Sequence, residues 1–173
     1  LTAGGNALAP GITAGVEVAG FSMALPNGAS RITALRVLAH CGCDLLRVIP
    51  ASRWDVEEAA KDLHGSPPEV ASRVRHGAFL RDATLFENSF FSVSAAEAAA
   101  MDPQQRQLLE RGYTALHGAG MRKATLLGAV IAANVGQWSS DFGSVLMGTA
   151  AGRSVYASTG FSCSVTCGRV SFA

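Results

Sequence analysis

The sequence Met101-Asp102-Pro103-Gln104-Gln105-Arg106 begins the most clearly marked helix of the chain. Asp102 can cap a helix through its carboxylate, and Pro103 fits the first helical position, where no N–H is needed. Gln105 stands at the third position, where it can complete the cap. Apolar residues and then glycines follow at helical spacing: Leu108, Leu109, Tyr113 and Leu116, then Gly118 and Gly120. The stretch therefore predicts an amphipathic helix that ends near Gly118.

A continuous apolar run at residues 126–133 predicts a buried strand. It shows no alternation of apolar and polar residues, as expected when helices cover both faces of a sheet. Residues 16–23 are a second apolar run of strand length, closed by the turn signal Leu25-Pro26-Asn27-Gly28. Together the two runs predict a parallel or mixed sheet in a layered α/β protein.

Capping residues and periodicity predict several shorter helices. Ser30 can cap a helix that Gly42 ends, and Ser94 with Glu97 has capping-box spacing before an alanine-rich run to about residue 100. Further short helices are predicted over residues 56–63 and 160–169, and residues 170–173 are expected to approach another strand or loop.

The composition is that of a globular domain and excludes several classes of protein. The 173 residues are 49% hydrophobic and 16% charged, with a formal net charge of +1, which is too apolar and too weakly charged for a disordered chain. Basic residues are scattered singly, so no nucleic acid partner is predicted. The longest strongly apolar run has eight residues. A membrane span needs roughly 18, so none is predicted.

Both ends of the sequence lead us to expect a piece of a longer protein. The chain starts at Leu1 without a methionine or a basic signal region, and it stops at Ala173 within an apolar phrase. Residues 1–15 are rich in Gly and Ala and are expected to form a flexible lead-in. Residues 16–173 are expected to be part of one domain.

Four cysteines fall in two close pairs, Cys41 with Cys43 and Cys163 with Cys167. They are too few for a disulfide scaffold, so an intracellular, reducing compartment is predicted, cytoplasmic or with a plastid as the alternative. Zinc binding would need ligands from both pairs, which lie far apart in sequence, and no metal site is predicted. Small buried thiols are the expected state.

The phrase Met101-Asp102-Pro103-Gln104-Gln105-Arg106 with Leu108-Leu109-Glu110 resembles one from the β-ketoacyl synthase domains of modular polyketide synthases and animal-type fatty acid synthases. Other landmarks follow in the family's order. They are Val18-Ala19-Gly20-Phe21-Ser22-Met23, Val48-Ile49-Pro50-Ala51-Ser52-Arg53-Trp54-Asp55, Gly77-Ala78-Phe79-Leu80, Phe90-Phe91-Ser92-Val93-Ser94-Ala95-Ala96-Glu97-Ala98, Gly128-Ala129-Val130-Ile131 and Gly168-Arg169-Val170-Ser171-Phe172. The resemblance extends from about residue 16 to residue 173. It implies the N-terminal portion of a thiolase-like, layered αβαβα fold.

The resemblance also implies a reaction, the decarboxylative Claisen condensation. In the family, an acyl chain passes from the phosphopantetheine thiol of an acyl carrier protein to an active-site cysteine, and a malonyl-type extender loses CO2 and attacks the thioester. That cysteine stands in a T-A-C-S-S phrase after the segment similar to residues 168–172, and two histidines come later. All three are expected beyond Ala173. The implied partners are the carrier protein and a second copy in a homodimer, and no cofactor is implied.

Four residues within the chain are candidates for contact with substrate or partner. The resemblance places Gln105 where condensing enzymes can line the acyl pocket, with completion of the helix cap as the alternative. It places Gln137, Trp138 and Phe142 where family members approach the partner subunit, so these are predicted as interface or pocket-rim residues, with core burial as the alternative. Cys163 superficially resembles a nucleophile but comes one element too early. No catalytic residue is therefore predicted among residues 1–173.

A second function is compatible with the same residues. A synthase-like subunit that has lost its cysteine, and that serves as a dimer partner or chain-length determinant, would share every phrase up to Ala173. The phrases also fit either polyketide or fatty acid biosynthesis.

Overall fold

The computed structural model describes residues 15–61, 65, 67–138 and 141–173. Within these ranges the chain is mostly helical. The helices are α1 (Ile32–His40), α2 (Val56–Lys61), α3 (Pro68–Arg73), α4 (Ala95–Ala100), α5 (Pro103–Gly118), α6 (Lys123–Leu126), α7 (Phe142–Met147), α8 (Ala157–Gly160) and α9 (Cys163–Phe172). Pro26–Gly28 and Ala151–Arg153 are short 3-10 turns, and the strands are β1 (Arg47–Val48) and β2 (His76–Gly77). The predicted lead-in falls almost entirely outside the described residues.

Helix α5 confirms the prediction from its capping sequence. The Asp102 carboxylate accepts a hydrogen bond from the Gln104 N–H at 2.7 Å, and Pro103 is the first helical residue. The helix ends at Gly118, where Gly120 with φ +75° lets the Met121 N–H reach back to the Leu116 carbonyl at 3.0 Å. The predicted apolar face is only partly buried. Leu109 lies in the core, whereas Tyr113 and Leu116 are exposed.

Helix α4 begins as predicted at the Ser94 cap. The Ser94 hydroxyl oxygen accepts a hydrogen bond from the Glu97 N–H at 3.1 Å. The Glu97 carboxylate binds Arg169 of α9, so its side chain makes a long-range ion pair. In a capping box the Glu97 side chain would bond the Ser94 N–H. Here the Glu97 side chain pairs with Arg169 instead.

Helix α1 starts one residue later than the Ser30 cap predicts. Arg31 is the N-cap residue, and its side chain makes no capping hydrogen bond. The end of α1 follows the prediction: Gly42 has φ +58°, and the Cys43 N–H donates to the Leu38 carbonyl at 3.0 Å. A glycine in the left-handed region permits this C-terminal turn because it has no Cβ to clash.

The predicted strand at residues 126–133 is wrong for this chain. Leu126 ends α6, residues 129–133 have no regular structure, and Val130 is fully exposed. A buried parallel strand needs neighbouring strands for its hydrogen bonds and helices over both faces. The described sheet consists only of β1 and β2, paired antiparallel with Arg47 opposite Gly77 and Val48 opposite His76.

The predicted first strand is also absent from the described residues. Residues 16–23 run without regular structure, and Gly20 lies so close to the Ala115 carbonyl of α5 that any side chain there would collide with it. Val16 and Val18 point largely into solvent. This segment therefore follows a helix surface instead of joining a sheet.

Helix α9 differs at both ends from the short helix predicted over residues 160–169. It begins at Cys163 and continues to Phe172, so residues 170–172 are helical and do not approach a strand. Residues 157–160 form the separate helix α8. Gly168 lies inside α9, and its cost to helix propensity is tolerated because tertiary contacts hold the helix.

The main apolar cluster lies where α4, α7 and α8 meet. Ala100, Leu146 and Ala157 are buried there, and four partly buried residues pack around them: Phe142, Ala151, Tyr156 and Phe161. Gly160 of α8 approaches the Ala100 carbonyl so closely that a Cβ at residue 160 would overlap the oxygen atom. The close approach fixes α8 against the end of α4.

An aromatic row anchors the loop before α4 to α5. Phe86 stacks on Phe91, and Phe90 makes edge contacts with both Phe91 and Tyr113, the latter at 4.8 Å between ring centroids. Such edge contacts contribute roughly 0.5–1.5 kcal/mol beyond the buried area. Across the described ranges, we find no helix with the length and apolar character that crossing a bilayer requires.

Candidate functional site

Five polar side chains from separate parts of the chain meet at helix α9, and we call them the α9 polar cluster: Glu97, Gln105, Gln137, Thr166 and Arg169. Thr166 and Arg169 belong to α9, Glu97 to α4 and Gln105 to α5, while Gln137 precedes α7. Gln105 and Thr166 are 1% and 0% exposed. Buried polar groups of this kind stabilise a fold only when they are hydrogen-bonded.

Gln105 connects α5 to the chain just before α9. Its Nε2 donates hydrogen bonds to the carbonyls of Thr159 and Ser162, both at 3.2 Å. The backbone supports the same contact, because the Asp102 N–H donates to the Gly160 carbonyl at 2.7 Å. The Gln105 side chain thus makes a tertiary contact, and the cap of α5 is supplied by Asp102.

The three residues predicted for an interface or pocket rim have different surroundings. Gln137 is half-buried, and its Oε1 accepts a hydrogen bond from the Thr166 hydroxyl at 2.7 Å. Phe142 packs against the apolar cluster. Trp138 is 91% exposed. The structure therefore brings Gln137 to α9 and Phe142 to the core, and it leaves the Trp138 indole at the surface.

Glu97 and Arg169 form a largely buried ion pair. Arg169 Nη1 lies 2.5 Å from Glu97 Oε1, and the two side chains are 14% and 25% exposed, respectively. Removing one member of such a pair leaves a charge without its partner in a poorly solvated place. The pair therefore ties the middle of α4 to the second half of α9.

The α9 polar cluster has unused hydrogen-bonding capacity. Gln105 Oε1, Gln137 Nε2 and Arg169 Nε are buried and have no hydrogen-bond partner within the described ranges. Most buried polar atoms in folded proteins have a partner, so these three are sites where a further polar group would be stabilised.

Arg106, next to Gln105 in sequence, has a lowered pKa. Burial of the guanidinium is the main cause, and the nearby carboxylates of Asp102 and Glu110 act in the opposite direction. An arginine stays protonated in proteins even so. Arg106 therefore contributes a fixed positive charge and is not a proton donor for catalysis.

The cysteines contradict the expectation of buried thiols. Cys41, Cys43 and Cys163 are exposed, and only Cys167 is partly buried. The physical reason is position: Cys41 and Cys43 lie in the turn after α1, and Cys163 is the first residue of α9. The Cys167 thiol donates to the Ser164 carbonyl at 3.6 Å, a weak contact within α9. In the described part of the chain, no group of three or more His, Cys, Asp or Glu side chains could hold a metal ion.

A cleft of about 400 Å³ lies between the Pro26–Gly28 turn and the middle of α5. Its charged lining is balanced, with Arg81 and Arg111 against Asp82 and Glu110. None of the residues in the α9 polar cluster lines it. The cleft and the cluster are therefore separate features of the chain.

Comparison with known proteins identifies the family. Residues 13–173 match the family described as β-ketoacyl synthase, N-terminal domain. The chain belongs to the β-ketoacyl synthase family. This ketosynthase chain is 37% identical over 160 residues to the polyketide synthase GfsB of Streptomyces halstedii, an alignment that covers 91% of the chain and 3% of GfsB. It is 35% identical over 160 residues to the pikromycin polyketide synthase component PikAII of Streptomyces venezuelae, covering 91% of the chain and 4% of PikAII.

Two solved ketosynthase structures are similar to this one. The ketosynthase from module 6 of the bacillaene synthase of Bacillus subtilis 168 is 30% identical with a TM-score of 0.50, and the match covers 62% of this chain and 17% of that one. The oxazolomycin ketosynthase domain of Streptomyces albus JA3453 is 25% identical with a TM-score of 0.52, covering 64% and 19%. The ketosynthase chain thus has a thiolase-like fold, and it spans less than a tenth of the length of the curated relatives it matches.

Sequence reasoning found the phrases but missed their mutual contacts. Glu97 and Arg169 stand in two of the quoted phrases, 72 residues apart, and no spacing rule connects them. Thr166 was not singled out at all, although it is completely buried. The useful signal was the presence of an acidic and a basic residue in two separate family phrases, which could have suggested a pair.

Proposed function

We propose that the protein containing this chain is a ketosynthase of polyketide biosynthesis that catalyses decarboxylative Claisen condensation. The observation that carries the proposal is the family match over residues 13–173. The names of the similar proteins favour polyketides over fatty acids, because the curated relatives at 33–37% identity are polyketide synthases. The proposed parent domain has the layered αβαβα arrangement, with residues 16–173 as its N-terminal part.

The proposed reaction has two stages. The acyl group first moves from the carrier-protein thiol to a cysteine thiolate, so that one thioester forms as another breaks. The malonyl-type extender then loses CO2, and the resulting carbanion attacks the acyl carbon. A carbon–carbon bond forms, the bond from the acyl carbon to the cysteine sulfur breaks, and the thiolate is released. In this proposal the cysteine and two histidines are supplied by the parent protein beyond Ala173, and no cofactor takes part.

This chain's own contribution is proposed to be positioning. Helix α9 is held by an ion pair from α4 and by two part-buried hydrogen bonds. One hydrogen bond runs from Gln105 of α5 to the N-cap residue Ser162, and the other joins Thr166 to Gln137. In the family's order, the cysteine phrase follows soon after the segment that α9 contains. A nucleophile must be held within a fraction of an ångström of its productive place, and a firmly anchored preceding helix supports that.

Gln105 and Trp138 keep their proposed contacts with substrate and partner. The buried Oε1 of Gln105 has no partner among the described residues, and this supports a place beside the acyl pocket. A 91% exposed tryptophan is typical of an interface residue, which supports Trp138 at a homodimer contact. Gln137 and Phe142 are proposed at the rim of the same interface or of the pocket. We further propose an acyl carrier protein as partner. We also propose an intracellular, reducing location, because free thiols are typical of proteins in such compartments.

The test uses the full-length protein that carries this chain. The protein is incubated with an acylated and a malonylated carrier protein, and the β-ketoacyl product is measured by mass spectrometry. We expect product from the wild type, none after the cysteine of the T-A-C-S-S phrase is changed to Ala, and nearly unchanged product from the control Cys163→Ala.

Failure to form product in the wild type, or replacement of that cysteine in the parent sequence, would overturn the catalytic proposal. The second function, a catalytically inactive dimer partner or chain-length determinant, would then take its place. Sedimentation of Trp138→Ala tests the dimer separately. We expect dissociation to be favoured by about 30-fold for a hot-spot tryptophan, whereas Trp54→Ala should leave dimerisation unchanged because Trp54 contacts Phe79 of its own chain.

A further inference from the structure

The cleft between the Pro26–Gly28 turn and α5 is not used by the proposed condensation. Its volume of about 400 Å³ lies within the range of about 300–1,000 Å³ that is usual for small-molecule sites. Six of the residues that line it have polar or charged side chains: Ser30, Arg81, Asp82, Gln107, Glu110 and Arg111. The cleft therefore has the size and the polar groups of a ligand site, and its lining indicates the chemistry of the ligand.

Arg81 lies across the backbone of the turn. A Cβ at residue 28 would be 2.8 Å from Arg81 Cδ and 3.4 Å from Arg81 Nε, so the arginine side chain uses the space that Gly28 leaves open. The Asn27 N–H donates to the Phe79 carbonyl at 3.2 Å, which ties the turn to the segment that carries Arg81. This packing holds the arginine stem at the cleft, so less side-chain entropy is lost when the guanidinium binds a ligand.

Helix α5 forms the other wall of the cleft. Glu110 and Arg111 follow Gln107 by three and four residues, so the three side chains lie on one face of the helix. Each wall thus carries one cation and one anion: Arg81 and Asp82 on the first wall, Arg111 and Glu110 on the second. A ligand with one positive and one negative group can therefore pair with both walls at once.

The polar groups of the cleft make few contacts with the protein itself. Four of the six side chains form no hydrogen bond or ion pair within the described ranges, namely Ser30, Arg81, Asp82 and Gln107. Arg111 Nη2 lies 4.0 Å from Glu110 Oε2, which is too far for a hydrogen bond. The donors and acceptors of the cleft are therefore available to a ligand, in contrast to the mutually bonded side chains of the α9 polar cluster.

Aliphatic residues complete the lining and narrow the choice of ligand. They are Ala24, Leu25, Ala29, Leu80, Ala83 and Leu85. A simple anion would face the carboxylates of Asp82 and Glu110, and a simple cation would face the two arginines, so neither matches the lining. Apolar surface beside the charges favours a ligand that also has a hydrocarbon body.

We propose that this cleft binds a small zwitterion with an aliphatic body, of the class of the aliphatic α-amino acids. The ligand carboxylate accepts hydrogen bonds from the arginine guanidinium groups, and the ligand ammonium group donates to the carboxylates of the cleft. The aliphatic side chain of the ligand contacts the leucines. Binding forms and breaks no covalent bond, and it is a property separate from the proposed condensation.

Isothermal titration calorimetry of the full-length protein tests the proposal with three probes. L-Leucine carries both charges, 4-methylpentanoate lacks the ammonium group, and 3-methylbutylamine lacks the carboxylate. We expect saturable binding of L-leucine. Each of the other two probes should bind at least about tenfold more weakly, because each loses one set of charge-assisted hydrogen bonds.

Paired substitutions test whether the two charges of the ligand are bound in the cleft. Arg81→Gln combined with Arg111→Gln should make L-leucine bind no better than 3-methylbutylamine, because the ligand carboxylate loses its donors. Asp82→Asn combined with Glu110→Gln should make L-leucine bind no better than 4-methylpentanoate. The control Arg73→Gln removes an exposed arginine at the end of α3, outside the cleft, and should leave all three affinities unchanged.

Absence of saturable L-leucine binding, or equal binding of the three probes by the wild type, would overturn the proposal. L-Leucine binding that is unchanged in both double variants would also overturn it, because the ligand would then lie elsewhere. The comparison of probes needs only the wild type, so it tests the proposal even where a variant does not fold. Binding is measured without any condensation assay, so its outcome is independent of the ketosynthase proposal.

Discussion

Gln105 joins two elements through a single amide group. Its Nε2 holds the carbonyls of Thr159 and Ser162, which lie on either side of the junction between α8 and α9. Its Oε1 is buried without a partner among the described residues. The same side chain therefore has its Nε2 donor engaged twice, while its Oε1 acceptor is unused.

Gln105→Leu keeps much of the volume and removes the whole amide, its donor and its acceptor alike. In the full-length protein we expect a loss of about 1–3 kcal/mol in the free energy of unfolding, because the carbonyls of Thr159 and Ser162 lose their donor. Urea denaturation measures the loss, and Gln107→Leu, a half-buried control on the same helix, should change it little. If Gln105 also lines the acyl pocket, the preference for acyl chain length changes as well, and an unchanged preference contradicts that role.

The ion pair between Glu97 and Arg169 allows a second prediction for single residues. Glu97→Ala should lower the free energy of unfolding by about 3 kcal/mol, since the Arg169 charge is left poorly solvated and unpaired. The matched control is Glu58→Ala, because Glu58 pairs with Lys61 at the surface, where the side chains are 70% and 62% exposed. That change should cost less than about 0.5 kcal/mol. Equal losses from the two substitutions would show that burial does not increase the contribution of the Glu97–Arg169 pair to the free energy of unfolding.

At the scale of elements, contacts between backbones decide how α4, α8 and α9 are arranged. Gly160 permits α8 to touch the end of α4 at the Ala100 carbonyl. Gly168, inside α9, has no atom within 4 Å of the place where its Cβ would be. One glycine is thus required by close packing, and the other only lowers the helix propensity of its segment.

Paired substitutions of these glycines test the arrangement. Gly160→Ala should destabilise the domain by at least about 2 kcal/mol, because the new methyl group forces α8 away from α4. Gly168→Ala should be neutral or stabilising by up to about 1 kcal/mol, because alanine favours the helix and meets no neighbour. Thermal unfolding of the two variants, each compared with the wild type, gives the answer. A tolerated Gly160→Ala would contradict the close approach of the two helices.

How well each element could be predicted from sequence depends on where its stabilising contacts come from. Helices α4 and α5 were predicted correctly because Ser94 and Asp102 supply capping bonds within a few residues. Residues 126–133 were predicted as a strand because a continuous apolar run is typical of a buried strand. The hydrogen bonds of a strand come from other strands, however, and the apolar run itself does not show whether such strands are present. The α9 polar cluster could not be predicted either, since its contacts join residues 29 to 72 positions apart.

Taken as one body, the described residues leave many large apolar side chains open to solvent. Val16, Leu127, Val130 and Phe172 are each more than 70% exposed. Such surface is normally covered by other parts of a protein or by a partner.

Residues 1–173 expressed alone should therefore be loosely packed or prone to associate. We expect a broad, weakly cooperative thermal transition and strong binding of a hydrophobic dye. Calorimetry and dye fluorescence measure the two properties, with the full-length protein as the control. A monodisperse preparation of the isolated chain with a sharp unfolding transition would contradict the inference from the exposed apolar side chains.

The anchoring of α9 by distant residues has a consequence for the order of events on the ribosome. Glu97 is synthesised 72 residues before Arg169, and Gln105 is synthesised 57 residues before Ser162. At about 5–20 residues per second, Glu97 waits roughly 4 to 14 seconds for its partner. During that interval the Glu97 carboxylate and the Gln105 amide lack their partners in and before α9, and water solvates both groups well. These two sites therefore do not favour aggregation of the nascent chain before α9 is made.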